Sequence, residues 1–343
     1  MNNERLGTRC YFAHSDKSSY FTLVLLAFFL LVSCNKEPKN TKLSGAVFGT
    51  SYSVIYDSGI NYQKQFDSLF YVINKSMSTY QANSDISKVN RNEAFAIDEH
   101  FAKVFDASKD IYKQTHGVFD PTIGAVVNAW DFGPEGHIER LDSLKIDSLM
   151  LSVGLDKVNR QGLSIKKQNP KTFIDFNAIA KGYGVDVIGL FLESKNISNY
   201  LVEIGGEIRA RGKNVDKQSA WKVGVEEPHF DGSQSVLKAI SIHNEAMATS
   251  GTYRKFKTDA NGHKYSHIID TQTGYPSKTN LLSVSVIAKD CMTADAYATA
   301  FKAMGIDAVK DFLKTHPELK VFLIFENDSK ELETLSLNGF PES

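Results

Sequence analysis

Asp295 and Thr299 lie four residues apart in Thr293-Ala294-Asp295-Ala296-Tyr297-Ala298-Thr299-Ala300. That spacing puts both side chains on one face of a helix, and the alanines between them leave room above it. A carboxylate and a hydroxyl on one rim can hold a magnesium ion whose other ligands are carbonyl, phosphate and water oxygens. Thr293 reads as the N-cap, with Asp295 in the first turn. The same pattern also describes a capped helix that packs closely through small residues, and the segment alone leaves both readings open.

A second segment, Phe173-Ile174-Asp175-Phe176-Asn177-Ala178-Ile179-Ala180-Lys181-Gly182-Tyr183-Gly184, reads as a strand ending at Asp175 and a helix starting near Ala178. Free amides at a helix start suit a phosphate. Lys181 falls in the first turn, where the helix dipole disfavours a cation unless an anion is near. Gly182 and Gly184 cost helix propensity and fit a surface that backbone or ligand approaches closely. An ordinary strand–turn–helix with a surface lysine is the alternative. Gly205-Gly206, inside the strand-like run 200–211, suggests a bulge or a close ligand approach, with a plain hairpin as the other reading. His267 precedes an apolar pair and a turn. It becomes a general-base candidate only if it faces the same cleft as the phosphate and metal groups; otherwise it is structural.

The elements that must position these residues alternate in type. Residues 46–56 read as a strand, 62–76 and 99–116 as amphipathic helices, and 141–160 as a short helix and a turn. Residues 164–167 and 172–175 look like a hairpin, 178–194 like a helix. Strands follow at 200–204, 207–211, 221–225, 237–242, 246–250 and 281–288. Helices at 294–304 and 308–315 and a strand at 320–325 close the chain. Hairpin-like pairs outnumber βαβ units, which predicts an α+β fold with a largely antiparallel sheet and argues against a doubly wound dinucleotide fold.

With 42% hydrophobic and 23% charged residues, the 343-residue chain has the composition of a globular domain with its own core. A net charge of -1 gives no electrostatic case for nucleic acid as a partner. The cluster Arg209-Ala210-Arg211-Gly212-Lys213 reads as solvated strand ends. Arg5, Arg9 and Lys17 precede a short apolar run that ends in Leu31-Val32-Ser33-Cys34, the layout of a secretory signal. Those last four residues look like a bacterial lipobox with Cys34 as the acylated residue, a plain signal peptide or an anchor helix being the other readings. The reading divides the chain into a signal at 1–33, a polar tether at 34–44 and one domain at 45–343. It places the mature protein in the cell envelope, lipid-anchored to a bacterial membrane and facing the periplasm. Cys291 is then the one thiol left unacylated, and reads as a small buried hydrophobe.

Taken together and in order, these segments resemble the ApbE family of flavin transferases. Met77-Ser78-Thr79-Tyr80 with Asp85-Ile86-Ser87-Lys88-Val89-Asn90 resembles the family's MSTY segment, and Phe48-Gly49-Thr50 its entry strand. Gly117-Val118-Phe119-Asp120-Pro121-Thr122-Ile123-Gly124 with Trp130-Asp131-Phe132-Gly133 resembles its flavin-side loop. The resemblance implies an ApbE-like fold with helices flanking the sheet. It implies FAD as substrate, lined by Phe48, Tyr80, Val118, Phe119, Asp120, Asp175, Lys181 and Ile268. It implies Mg²⁺ held by the Ala178 carbonyl, the Asp295 carboxylate and the Thr299 hydroxyl, with Asp295, Lys181 and His267 catalytic and His267 the base. The implied partner is a target flavoprotein with an acceptor Thr or Ser, such as a membrane redox-complex subunit. FMN would be joined to it as AMP leaves. Some family members hydrolyse FAD to FMN and AMP instead, and a lipoprotein that binds FAD without turning it over is a further reading; all three stay open. The chain departs from the family's pattern at Asn177 (often Gly), Glu203 (Asn), Glu207 (Asp) and Thr271 (Pro).

Overall fold

The structure is a computed structural model that describes residues 40–258 and 264–342. The lipobox, Cys34 and the signal lie outside the described residues. Among those described, no helix is long and apolar enough to cross a membrane.

The chain opens with the hairpin β1 (Thr41–Val47) and β2 (Thr50–Tyr56). Helices α1 (Gln63–Met77), α2 (Asp85–Asn90), α3 (Glu99–Gln114), α4 (Gly124–Ala129) and α5 (Ser143–Met150) follow. After β3 (Val158–Gln161) and β4 (Ser164–Lys167) comes the long helix α6 (Ala180–Ser194). Then come β5 (Tyr200–Ile204), β6 (Glu207–Arg211), β7 (Trp221–Glu226), β8 (Val236–Ile242), β9 (Ala246–Gly251), β10 (Phe256–Thr258), β11 (Lys264–Ser266) and β12 (Leu281–Ala288). Helices α7 (Cys291–Met304) and α8 (Ile306–Leu313) and strands β13 (Lys320–Glu326) and β14 (Leu332–Leu337) end it.

Eight strands form one antiparallel sheet in the order β1-β2-β5-β6-β9-β12-β13-β14. This is the α+β architecture that the alternation of elements predicts. One face of the sheet carries α1, α3, α6 and α7; the other carries the β7–β8 hairpin. Strand β13 shows why both faces are dry. Val321 and Leu323 point into the helix-side core with Phe101, Phe176 and Phe301, while Phe322 and Ile324 meet Trp221, Val223 and Ile240 of the hairpin. A second helix-side core joins Phe66 and Phe70 of α1 to Val185, Ile188 and Leu192 of α6 over Val54 and Val202.

Several local expectations are corrected. The strand expected at 46–56 is the second half of a hairpin. Its turn is Phe48-Gly49, and β1 starts at Thr41, inside the stretch expected as tether. Polar Thr41–Ser44 pair with Ser53–Tyr56, and ladder hydrogen bonds outweigh their hydrophilic composition. Ser164–Lys167 pairs with Val158–Gln161 instead of 172–175, where Phe173 makes an isolated parallel bridge to Ile123. Helix α7 is capped by Asp290, which accepts the Thr293 amide at 2.9 Å. Thr293 therefore lies inside the helix and Asp295 in its second turn. Gly205-Gly206 is a two-residue hairpin turn, not a bulge, with both residues at positive φ. Arg209 is no solvated end: it donates to Asp186 at 2.7 Å and to Glu193 at 3.2 Å.

Candidate active site

A cavity of about 1000 Å³ opens where α6, α7, the β5–β6 turn and the loops after α1 and α3 meet. Phe48, Tyr80, Val118, Phe119, Asp120, Asp175, Ala178, Lys181, His267, Ile268, Asp295 and Thr299 all line it. Residues spread over some 250 positions are thus brought together, and every expected site residue among those described belongs to this one space.

The floor is built by a close approach of α6 and α7. A Cβ on Gly182 would sit 2.3 Å from the Cys291 carbonyl oxygen and 2.8 Å from Asp295 Cβ, so only glycine lets the helices come this near. The approach redirects a hydrogen bond. The Gly182 amide, whose ordinary acceptor four residues back would be the Ala178 carbonyl, donates to Asp295 Oδ2 at 2.9 Å. Among the described residues no other donor takes the Ala178 carbonyl. Asp186, one turn further along α6, accepts the Cys291 and Met292 amides at 3.0 and 2.8 Å and so fixes the start of α7.

Charge on this floor is dense. Lys181 Nζ lies 2.7 Å from Glu207 Oε1, at the first residue after the glycine turn. Burial pushes the carboxyls of Glu207 and Asp295 up, against the attraction of Lys181. Burial acts downward on Lys181, yet the carboxylates of Glu207 and Asp295 hold its ammonium above the ordinary value. Glu207 Oε2 is buried and has no hydrogen-bond partner among the described residues. Oxygen donors of the kind a hard divalent cation takes therefore meet here: a buried carboxylate, the Thr299 hydroxyl and a freed carbonyl. The residues present fit Mg²⁺. No group of three or more His, Cys, Asp or Glu side chains at metal spacing exists among the described residues, so such a site would be completed by carbonyl and ligand oxygens.

The walls differ in kind. Phe48 sits at φ +50°, a left-handed conformation that is rare for an aromatic. Its ring is edge-on to Phe70 and lies over Gly184, where a Cβ would come within 2.9 Å of it. Gly184 is thus cleared for Phe48, as Gly182 is for α7. Asp120 is committed to the fold. It accepts the Thr122 amide and hydroxyl at 2.8 and 2.6 Å and the Leu155 amide at 3.3 Å, and burial pushes its carboxyl up to about 6. Asp175 accepts the Asn177 amide at 2.8 Å and shapes the turn that leads to Lys181. Tyr80 stands at the mouth, 63% exposed.

His267 is half-buried. Its Nδ1 lies 3.0 Å from the Lys255 carbonyl, an acceptor, so Nδ1 carries the proton and Nε2 is the basic nitrogen. Burial, reinforced by the charges of Lys255, Lys181 and Lys302, lowers its pKa to about 4. The imidazole is therefore neutral and able to accept a proton at physiological pH.

Four contributors escaped the sequence reading. In the sequence Glu207 reads as a departure from the family's pattern, not as the partner of Lys181. Its place directly after a glycine turn aimed at the phosphate segment was the available signal. Thr271, another departure, donates to the Gly117 carbonyl at 2.7 Å and ties the His267–Ile268 loop to the Val118–Asp120 loop. Lys255 donates to the Phe132 carbonyl at 3.0 Å. Lys302, one turn beyond Thr299, is 1% exposed and bonds Thr279 Oγ1 at 2.9 Å, with no carboxylate partner among the described residues. No periodicity marks these residues out.

Residues 48–323 match the model of the ApbE family. The chain belongs to the ApbE family. It is 36% identical over 315 residues to the FAD:protein FMN transferase of Haemophilus influenzae, covering 87% of this chain and 90% of that protein. To the FAD:protein FMN transferase of Vibrio cholerae it is 34% identical over 330 residues, covering 93% and 98%. Its fold is that of ApbE flavin transferases. The solved flavin transferase ApbE from Vibrio cholerae superposes with a TM-score of 0.78 at 33% identity, covering 87% of this chain and 97% of that one. The apo flavinyl transferase ApbE of Pseudomonas stutzeri gives a TM-score of 0.78 at 28% identity, covering 87% and 94%.

Proposed function

We propose that this protein is an FAD:protein FMN transferase that joins FMN through its phosphate to a Thr or Ser hydroxyl of a target flavoprotein. The observation that carries the reading is the meeting of Lys181, Asp295, Thr299, the freed Ala178 carbonyl and His267 around one cavity. In the reaction the hydroxyl oxygen bonds to the FMN phosphorus. The bond from that phosphorus to the bridging oxygen breaks, and AMP leaves with that oxygen.

Attack on a charged diphosphate by a neutral hydroxyl is slow unless charge is neutralised and the nucleophile is held in line. Lys181, anchored by Glu207, supplies a fixed positive charge beside the diphosphate. His267 takes the hydroxyl proton on Nε2, with the Lys255 carbonyl holding the ring in that tautomer. Phe48, Tyr80, Val118, Phe119 and Ile268 supply apolar surface for the rings of FAD, and Asp120 and Asp175 keep the loops around them in shape. Mg²⁺, held by Asp295, Thr299 and the Ala178 carbonyl, would act there as a Lewis acid that withdraws charge from the phosphate oxygens. The signal-like N-terminus supports lipidation at Cys34 and a place in the cell envelope, facing the periplasm. There a flavoprotein subunit of a membrane redox complex is a fitting acceptor.

Incubation with FAD, Mg²⁺ and a candidate acceptor flavoprotein, followed by mass spectrometry, tests the proposal. A covalent FMN adduct on a Thr or Ser of the acceptor is the expected result. Free FMN and AMP with an unlabelled acceptor would make the protein an FAD pyrophosphatase instead.

A further inference from the structure

The central sheet has a split that opens into the cavity. Strands β6 and β9 pair only at Ile208–Met247 and Arg209–Ala246, although each is longer than that. On its other edge β9 is paired with β12 along its whole length, from Ala246 opposite Ala288 to Gly251 opposite Ser283. In an antiparallel ladder successive residues turn their amide and carbonyl to opposite edges. The Glu245 carbonyl accepts from Ala210 on the β6 side, at 3.0 Å, and the Thr252 amide donates to Leu282 on the β12 side, at 3.1 Å. Odd-numbered residues therefore face β6. Beyond Met247 these are Thr249 and Gly251, and there β6 has ended in the Gly205-Gly206 turn.

Thr249, Ser250 and Gly251 line the cavity, as do Gly205, Gly206 and Glu207 across the split. None of them belongs to the set implied to hold FAD. The pairing stops at Ile208, next to Glu207, whose carboxylate contacts Lys181 at 2.7 Å. The split thus leads directly to the charged floor. An unpaired strand edge inside a cavity is a place for an extended segment, since backbone groups left without partners are costly.

We infer that the acceptor segment of the target flavoprotein binds in extended form along this edge. Its backbone pairs with Thr249 and Gly251, and its Thr or Ser reaches the diphosphate beside Lys181. Main-chain pairing supplies affinity, and the side chains at alternate positions of the segment are left to be read by the cavity walls. This inference rests on the proposed transferase function.

The test uses the full-length enzyme with FAD and Mg²⁺, and a short synthetic peptide spanning the acceptor Thr, mapped beforehand by mass spectrometry. A series of peptides carries one N-methylated amide each. Strand pairing predicts that methylation at alternate positions raises KM by about threefold to tenfold, the value of one hydrogen bond, while the positions between are tolerated. Tolerance at every position, or loss at consecutive positions, would overturn the inference while transfer to the unmodified peptide upholds the function. No transfer to any acceptor would sink both. Independently, the same peptide with alanine for its acceptor threonine should slow amide hydrogen exchange at Thr249 and Gly251. Unchanged exchange there at saturating peptide also rejects the pairing.

Discussion

The Gly182 amide and the Asp295 carboxylate meet at 2.9 Å, joining two helices across 113 positions of chain. This one bond sets the distance between α6 and α7, leaves the Ala178 carbonyl free and orients the carboxylate that faces the cavity. It is the point at which packing becomes chemistry.

Gly182→Ala should therefore damage both. The added Cβ would press on the Cys291 carbonyl and on Asp295. Forcing the helices apart costs about 1–3 kcal/mol, which a lowered melting temperature would register, and turnover should fall with it. A variant that melts and turns over like the parent would show that the helices have slack.

Asp295→Asn keeps the size of the side chain and its hydrogen bond to Gly182 but removes the charge. Turnover should drop by on the order of 10²-fold or more, with the fold retained by circular dichroism. Normal rates at ordinary magnesium concentrations would dismiss the carboxylate as a metal ligand.

His267 carries a pH prediction. Its pKa is lowered to about 4 by burial, below the value of about 6.5 for a free imidazole. The unfolded chain thus binds the proton first, and stability is lost as pH falls from about 6.5 towards 4. The acid limb of the rate should likewise lie well below 6.5. His267→Gln should slow transfer by about 10²- to 10⁴-fold and leave FAD affinity within a few-fold. Equal losses in affinity and rate would make it a binding residue.

Lys302 carries a prediction of the same sign at higher pH. Burial lowers its pKa to about 8, and among the described residues only Thr279 Oγ1 is bonded to its ammonium. Because its folded pKa is depressed, the protein gains stability as pH rises from about 8 towards 10.5. Lys302→Met should be neutral or stabilising at pH 7, by up to roughly 3 kcal/mol, and should flatten that alkaline gain. A strongly destabilised variant would show that the ammonium holds the segment around Thr279 in place.

How much of this was readable beforehand follows from the range of each interaction. Asp295 and Thr299 declare themselves through helical spacing, and Gly182 and Gly184 through the cost of glycine in a helix. These are local signals, and the structure brings their residues together. The Phe48-Gly49 turn was hidden because Phe is no turn residue; the hairpin spends a left-handed aromatic there to aim a ring at Gly184. Thr293 reads as the cap in the sequence, yet Asp290, three residues earlier, is as good a cap and sits where the chain leaves β12. Arg209 looked solvated because its partners, Asp186 and Glu193, lie on a helix whose distance from β6 no local pattern reveals. The β10–β11 pair is only three residues a strand, and the leucines of β14, at 332, 335 and 337, break the alternation that marks a strand.

The grip of Asp186 on the first amides of α7 has a temporal meaning. All of the chain before Cys291 must emerge before that helix exists to be gripped. A nascent or C-terminally cut chain lacks Asp295 and Thr299 together with the floor they form. Closure of the floor is accordingly a late event, open only to chains in which α7 has been made and has met Asp186.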